Sequence, residues 1–157
     1  MDQARDGNFL CTDAEESAVV RADSASGRVR LIPTITPWAY PRRGYRDDAN
    51  RFWFGEFYAD KIGVLDLNTD TVKEYETTPK YISPYYARPD KNGNIWVSST
   101  GSDRVLSLDP KSGEVIQYLM PVYYDARKVV VDLSAGKTTV WLPNKNLAQL
   151  IRIEVPD

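Results

Sequence analysis

Four copies of one pattern run through the chain, and they restrict its fold more than any other feature. The clearest copy is Asn92 to Pro121, NGNIWVSSTGSDRVLSLDPKSGEVIQYLMP. It reads as a Gly turn, a strand around Trp96, a polar turn, a second strand closed by Asp109, a Lys-Ser-Gly turn and a third strand through Tyr118. Moving 43 residues back gives ANRFWFGEFYADKIGVLDLNTDTVKEYETTP, with Trp53, Asp66 and Tyr75 in the same places. Another 43 residues back stand Leu10, Asp23 and Ile32, and 45 residues forward stand Trp141 and Glu154. The interval from the Trp-type position to the acidic position is 13 residues in all four copies. A period in the low forties with several short strands per unit predicts an all-β protein, a β-propeller of four-stranded antiparallel blades. Residues 1–157 then form a single propeller segment of about four blades, with repeats near 1–37, 38–79, 80–121 and 122–157.

Within each unit the repeated residues have structural tasks. Trp53, Trp96 and Trp141 are expected to be buried between neighbouring sheets, where large aromatics remove most area from water. Asp23, Asp66 and Asp109 precede turn residues and are expected to accept backbone N–H bonds. Inner strands ahead of the Trp strand are predicted at Pro41 to Asp47 and Pro84 to Asp90, in register through Asp47 and Asp90. In the last unit the inner segment lies near Tyr124 to Asp132 with its strand at Lys128 to Leu133, and the third strand falls at Leu150 to Val155. No strand is predicted ahead of Phe9, so the units count three, four, four and three strands. With Met1 opening one unit and Val155-Pro156-Asp157 ending another, the expectation is the C-terminal part of a longer propeller lacking N-terminal blades, or a homodimer that closes a ring. Open sheet edges at both ends would favour association.

Composition narrows the function. Hydrophobic residues make up 42% of the chain, enough for a core, while a net charge of −2 argues against wholesale binding of nucleic acid. No stretch approaches the roughly 18 apolar residues of a membrane helix, so no membrane partner is expected, and MDQARDGNFL lacks the layout of a signal peptide. Cys11 is alone, which excludes an intrachain disulfide. The chain has no histidine, so the commonest general base and metal ligand is missing, and no cofactor is evident from the residues.

Three inner segments depart from that average. Trp38 to Arg46, Lys80 to Arg88 and Val122 to Lys128 together carry a net charge of +6 and seven of the ten tyrosines. Radial blades bring equivalent segments around one axis. Arg42, Arg43, Tyr85, Tyr86, Arg88 and Arg127 are therefore the candidate ligand-binding residues of a basic, aromatic funnel. Bidentate guanidinium contacts and stacking suit a small anionic molecule or a peptide. The competing expectation is that these side chains plug the axial channel by bonding one another and ordered water.

The segments Phe52-Trp53-Phe54-Gly55-Glu56, Lys61-Ile62-Gly63 and Asn92-Gly93-Asn94-Ile95-Trp96 resemble the streptogramin B lyase (virginiamycin B lyase) family of seven-bladed propellers. NHL-type and gluconolactonase-like propellers are rivals of the same build. The resemblance covers nearly the whole chain and implies an inner-strand His as base, a Glu 14 residues later at the end of the Trp strand, and a magnesium ion (Mg2+) nearby. It also implies a periplasmic or secreted home. Here the Glu position holds Asp13, Glu56, Ser99 and Asn144, which makes Glu56 the candidate catalytic residue. The base position holds Arg42 before Glu56, Tyr85 before Ser99 and, allowing for an insertion, Arg127 before Asn144. Arginine does not release its proton near neutral pH, so Arg42 and Glu56 are expected to form an ion pair in which Glu56 orients the guanidinium. Lyase chemistry would then require a His in blades outside this chain.

Overall fold

The structure is a computed structural model, and it describes residues 2–132 and 137–155. All regular structure among them is strand. The first sheet has the order β1 (Asp2–Gln3), β2 (Phe9–Asp13), β3 (Ala18–Ala22), β4 (Val29–Pro33). The second unit comprises β5 (Pro41–Arg46), β6 (Arg51–Glu56), β7 (Lys61–Asp66) and β8 (Thr71–Glu76). The third comprises β9 (Pro84–Pro89), β10 (Ile95–Ser99), β11 (Arg104–Leu108) and β12 (Val115–Leu119). The last sheet is β13 (Val130–Asp132), β14 (Thr139–Asn144) and β15 (Gln149–Glu154). Within every unit, consecutive strands pair antiparallel.

Side-chain alternation along the Trp strands explains why the sheets stack. On β6, Phe52 and Phe54 join Leu10, Val19 and Ile32 of the first unit in one apolar cluster. Trp53, pointing the other way, joins Ile82, Ala87, Ile95 and Val97 of the third. The third unit repeats the arrangement through Trp96, which meets Tyr124, Ala126, Val131 and Val140 of the fourth. Both faces of β6 are thus covered, and its run FWF is apolar throughout.

In the second and third units one acid ties the turn to the Trp. Asp47 accepts the backbone N–H of Ala49 and Arg51 at 3.0 and 2.9 Å through Oδ1, while its Oδ2 accepts the Trp53 indole N–H at 2.8 Å. Asp90 does the same for Asn92, Asn94 and Trp96, the indole bond being 3.0 Å. Asp23, Asp66 and Asp109 accept the turn N–H groups of Ala25 and Ser26, of Asn68 and of Lys111, as expected.

Four expectations need correction. The first unit does have an inner strand: Asp2 pairs with Leu10 and Gln3 with Phe9. Two polar residues carry no alternating pattern, so this strand leaves no trace in hydropathy. The second and third units are not separate sheets, because Arg43 and Tyr86 form a parallel bridge where β5 and β9 converge. In the last unit the inner strand is only Val130–Asp132, and Leu133 lies outside the described residues, as do Met1, Pro156 and Asp157. Finally, Trp141 is half-buried, unlike Trp53 and Trp96. No further sheet lies against it among the described residues, and the Arg152 guanidinium covers its ring at 5.5 Å.

Candidate functional site

The starts of β5 and β9 are brought together by a glycine. A Cβ on Gly55 would lie 2.5 Å from the Pro84 carbonyl oxygen, so only glycine lets β6 approach β9 this closely. Tyr85, directly after that contact, is buried at the centre of three guanidinium groups. Arg42 lies 4.7 Å from its ring centroid and donates from Nη2 to the phenol oxygen at 2.8 Å. Arg127 and Arg43 lie 5.8 and 6.0 Å from the same ring. Burial alone would raise the Tyr85 phenol. The hydrogen bond and charge of Arg42, with the charges of Arg43 and Arg127, outweigh it and hold the phenol below its ordinary value.

Arg43 also lines a cavity of about 410 Å³, together with Asp2, Gly44, Tyr45, Tyr86 and Lys128. Arg88 lies 4.4 Å over the Tyr45 ring. Burial raises the Tyr86 phenol above its ordinary value, against the opposing charge of Arg88. The six candidate binding residues therefore form two groups: Arg42, Arg43 and Arg127 around the Tyr85 ring, and Tyr86 on the cavity that Arg43 also lines, with Arg88 over the neighbouring Tyr45. Among the described residues none of the four arginines pairs with a carboxylate. Arg43 and Arg127 are exposed.

Glu56 sits elsewhere. Strand alternation places it on the face of Phe52 and Phe54, toward the first unit, and a register shift between Pro41 and Gly44 carries Arg42 away to Tyr85. The expected Arg42–Glu56 ion pair does not form. Glu56 is fully buried, and neither carboxyl oxygen accepts a hydrogen bond from an N–H or hydroxyl donor among the described residues. Its surroundings are acidic: Glu74 and Glu76 share Lys61, whose Nζ lies 3.0 and 3.1 Å from their oxygens. Burial, reinforced by the charges of Glu74 and Glu76 and only partly offset by Lys61, pushes the Glu56 carboxyl up to about 8. Glu74 shows the contrast. Burial would raise it too, but donors from Thr36 N, Thr36 Oγ1 and Lys61 at 2.7, 2.6 and 3.0 Å bring it below the usual carboxylate value.

For the magnesium ion implied by resemblance, the acids around Glu56 are a poor match, since the Lys61 ammonium already bridges Glu74 and Glu76. No group of three or more His, Cys, Asp or Glu among the described residues is gathered to hold a metal ion.

Sequence reading missed two parts of this region. Asp2, the one acid in the cavity, accepts the Arg46 backbone N–H at 2.6 Å and arrives on the unrecognised strand β1. Phe57 meets Tyr85 edge-on at 6.3 Å, and Tyr58 packs on Phe57 and Tyr40. Their signal was available as a break in the repeat: the equivalent pairs are Ala14-Glu15 and Thr100-Gly101.

No protein-family model matches the chain, and no curated protein matches it in sequence. Solved structures do match in shape. Virginiamycin B lyase from Staphylococcus aureus superposes with a TM-score of 0.73 at 17% identity, over 98% of this chain and 54% of that one. A streptogramin B lyase structure gives 0.74 at 16% identity, over 98% and 53%. Hydrazine synthase of Kuenenia stuttgartiensis gives 0.69 at 11% identity, over 98% and 48%. The chain spans about half the length of these proteins. Repeat, sheet order and superposition agree: in fold, the chain is an all-β propeller segment that resembles the streptogramin B lyases.

Proposed function

We propose that the chain is a non-catalytic binding or scaffold segment whose axial cluster takes a small anionic molecule or an anionic group of a peptide. One observation carries the reading: Arg42, Arg43 and Arg127 converge on Tyr85, and none of them is ion-paired to a carboxylate among the described residues. Each guanidinium has five N–H donors and no acceptor, and Arg42 gives one of its donors to Tyr85. Because the Tyr85 oxygen accepts that bond, its own hydrogen is available to an anion. Like charges held this close are costly until an anion arrives, so binding relieves repulsion as well as forming charge-assisted bonds.

Calorimetric titration with inorganic phosphate and with citrate tests the reading. Arg42→Ala or Arg127→Ala should weaken binding roughly tenfold or more, the scale of one hydrogen bond to a charged group, and affinity should fall with salt. If neither anion binds the parent protein, the cluster is a plug and the reading is wrong.

A second reading is favoured by the fold likeness alone: a streptogramin-lyase-like C–O lyase or hydrolase, with Glu56 catalytic, a Mg2+ ion, and a His from blades outside this chain. The buried position of Glu56, turned from the axial cluster toward Glu74, gives that role no support. Incubating virginiamycin B with the chain is the direct check; turnover that is lost in Glu56→Gln would establish the enzyme.

A further inference from the structure

Equivalent positions of the repeat, far apart in sequence, gather to line the 410 Å³ cavity. Leu10, Trp53, Trp96 and Trp141 pair with Asp2, Tyr45, Arg88 and Val130 of the inner strands. These four share one position of the unit, and Arg43, Tyr86 and Lys128 share another, two residues earlier. Residues two apart on a strand point to the same face. Both positions therefore turn side chains to one space, which Asp2, Tyr45, Arg43, Tyr86 and Lys128 line.

The cavity holds charges of both signs, left apart. Among the described residues, Asp2, Arg43 and Lys128 belong to no ion pair. Asp2 accepts the Gln3 N–H at Oδ1 and the Arg46 N–H at Oδ2, at 2.8 and 2.6 Å. An ionised carboxylate offers about four acceptor sites, so it has room for a further donor. Folding does not ask for its charge: Tyr45, Arg88 and Val130 fill the same place in the other units. Nor are acid and base remote from each other. Burial raises the Tyr86 phenol most, and of the nearby charges Arg88 and Arg43 lower it while Asp2 raises it. One hydroxyl thus lies within reach of both signs.

An anion alone would be drawn to Arg43 and Lys128 but repelled by Asp2, and a cation alone the reverse. A ligand charged oppositely at its two ends satisfies all three. Two residues of strand span roughly 7 Å, which sets the scale of the separation between those ends. We infer that the cavity takes a small linear zwitterion, an ω-amino acid, with its carboxylate at Arg43 and Lys128 and its ammonium at Asp2. The inference goes beyond the anion-binding reading, with which it shares only Arg43. A volume of about 410 Å³ lies within the usual range of small-molecule sites.

Calorimetric titration of the full chain with 4-aminobutyrate, butyrate, butylammonium and glycine tests it. The two probes with a single charge should bind roughly tenfold more weakly than 4-aminobutyrate, the scale of one hydrogen bond to a charged group. Glycine, too short to reach both ends, should also fall behind. Asp2→Asn keeps an acceptor for the Arg46 N–H and loses the charge. It should weaken 4-aminobutyrate roughly tenfold while butyrate binds no less tightly. Lys128→Ala removes an exposed side chain, and should weaken 4-aminobutyrate and butyrate alike with an unchanged Tm. Arg42→Ala, outside the cavity, should weaken inorganic phosphate and leave 4-aminobutyrate as before, so the two readings fail separately. An equal loss of 4-aminobutyrate in Arg42→Ala would move the ligand to Tyr85 and overturn the inference. So would the absence of 4-aminobutyrate binding, a butyrate or glycine affinity equal to it, or an unchanged affinity in Asp2→Asn. Should Asp2→Asn fail to fold, Lys128→Ala decides, and an unchanged 4-aminobutyrate affinity there overturns the inference.

Discussion

Glu56 and Tyr85 lie on opposite sides of one narrow backbone contact, and their surroundings are opposite in sign. Both side chains are buried. Glu56 looks onto Glu74 and Glu76 and its carboxyl is pushed up to about 8; Tyr85 looks onto Arg42, Arg43 and Arg127 and its phenol is held down. Each group is driven by its neighbours toward the charge those neighbours tolerate: neutrality among acids, and a more acidic phenol among cations. The contact at Gly55 and Pro84 is the wall between them. Strand alternation therefore sorts charge here, sending acids into the gap between sheets and bases to the axis. Glu74 adds that burial does not decide a pKa by itself. Its side chain is largely enclosed too, though less than that of Glu56, and donors satisfy it, so it stays ionised.

The largest test removes the wall. Trp53 packs against Ile82, Ala87 and Ile95, which seats β9 on β6. Truncation to Ala should cost roughly 3–5 kcal/mol in denaturant unfolding, and the Tyr85 phenol should return toward its ordinary value as the arginines separate. An unchanged phenol in a destabilised protein would mean that the cluster holds itself together.

Next comes the acid side. The folded Glu56 carboxyl titrates near 8 against an ordinary 4.5, so the native state keeps a proton that the unfolded chain releases. The associated stability is fully present below pH 4.5 and is lost as pH rises through the folded value near 8. The loss should amount to a few kcal/mol, on the order of one per pH unit across the window. Glu56→Gln should remove most of this slope and melt higher than the parent at alkaline pH. A parent whose Tm is flat from weakly acid to weakly alkaline conditions refutes the assignment.

Arg42→Ala probes the basic side. Breaking a buried carboxylate pair costs on the order of 3–5 kcal/mol, but Arg42 has no such partner, so the expected loss is about 1 kcal/mol, that of one hydrogen bond. Ultraviolet titration should show the Tyr85 phenol moving up, because its hydrogen-bond donor and nearest charge are gone. The smallest effect is expected at Arg127→Ala, where an exposed side chain should change stability by no more than about 0.5 kcal/mol. The Tyr85 phenol should still rise slightly, because Arg127 acts on it through space.

Residues that obey the repeat were readable, and those that depart from it were not. The periodicity of 43 located every Trp strand, because buried Trp53 and Trp96 must recur wherever one sheet covers the next. It also grouped Arg42, Tyr85 and Arg127, and both guanidinium groups lie against the Tyr85 ring. It was silent on Asp2–Gln3, whose strand is too short to alternate, and on the Arg43–Tyr86 bridge, which depends on how closely two inner strands converge. Pairing Glu56 with Arg42 failed because register predicts neighbours along the backbone. The shift between Pro41 and Gly44 turned those neighbours to different faces.

The double duty of Asp47 and Asp90 bears on how such a chain assembles. One carboxylate closes the turn ahead of the Trp strand and also grips the indole six residues away, so both contacts form within a single hairpin. Contacts this local close quickly, because little loop entropy stands in their way. Each hairpin can then present an oriented indole before its neighbouring sheet arrives. A growing array needs no partner to set its aromatic wedge, only one to cover it, and copying a unit copies that readiness with it.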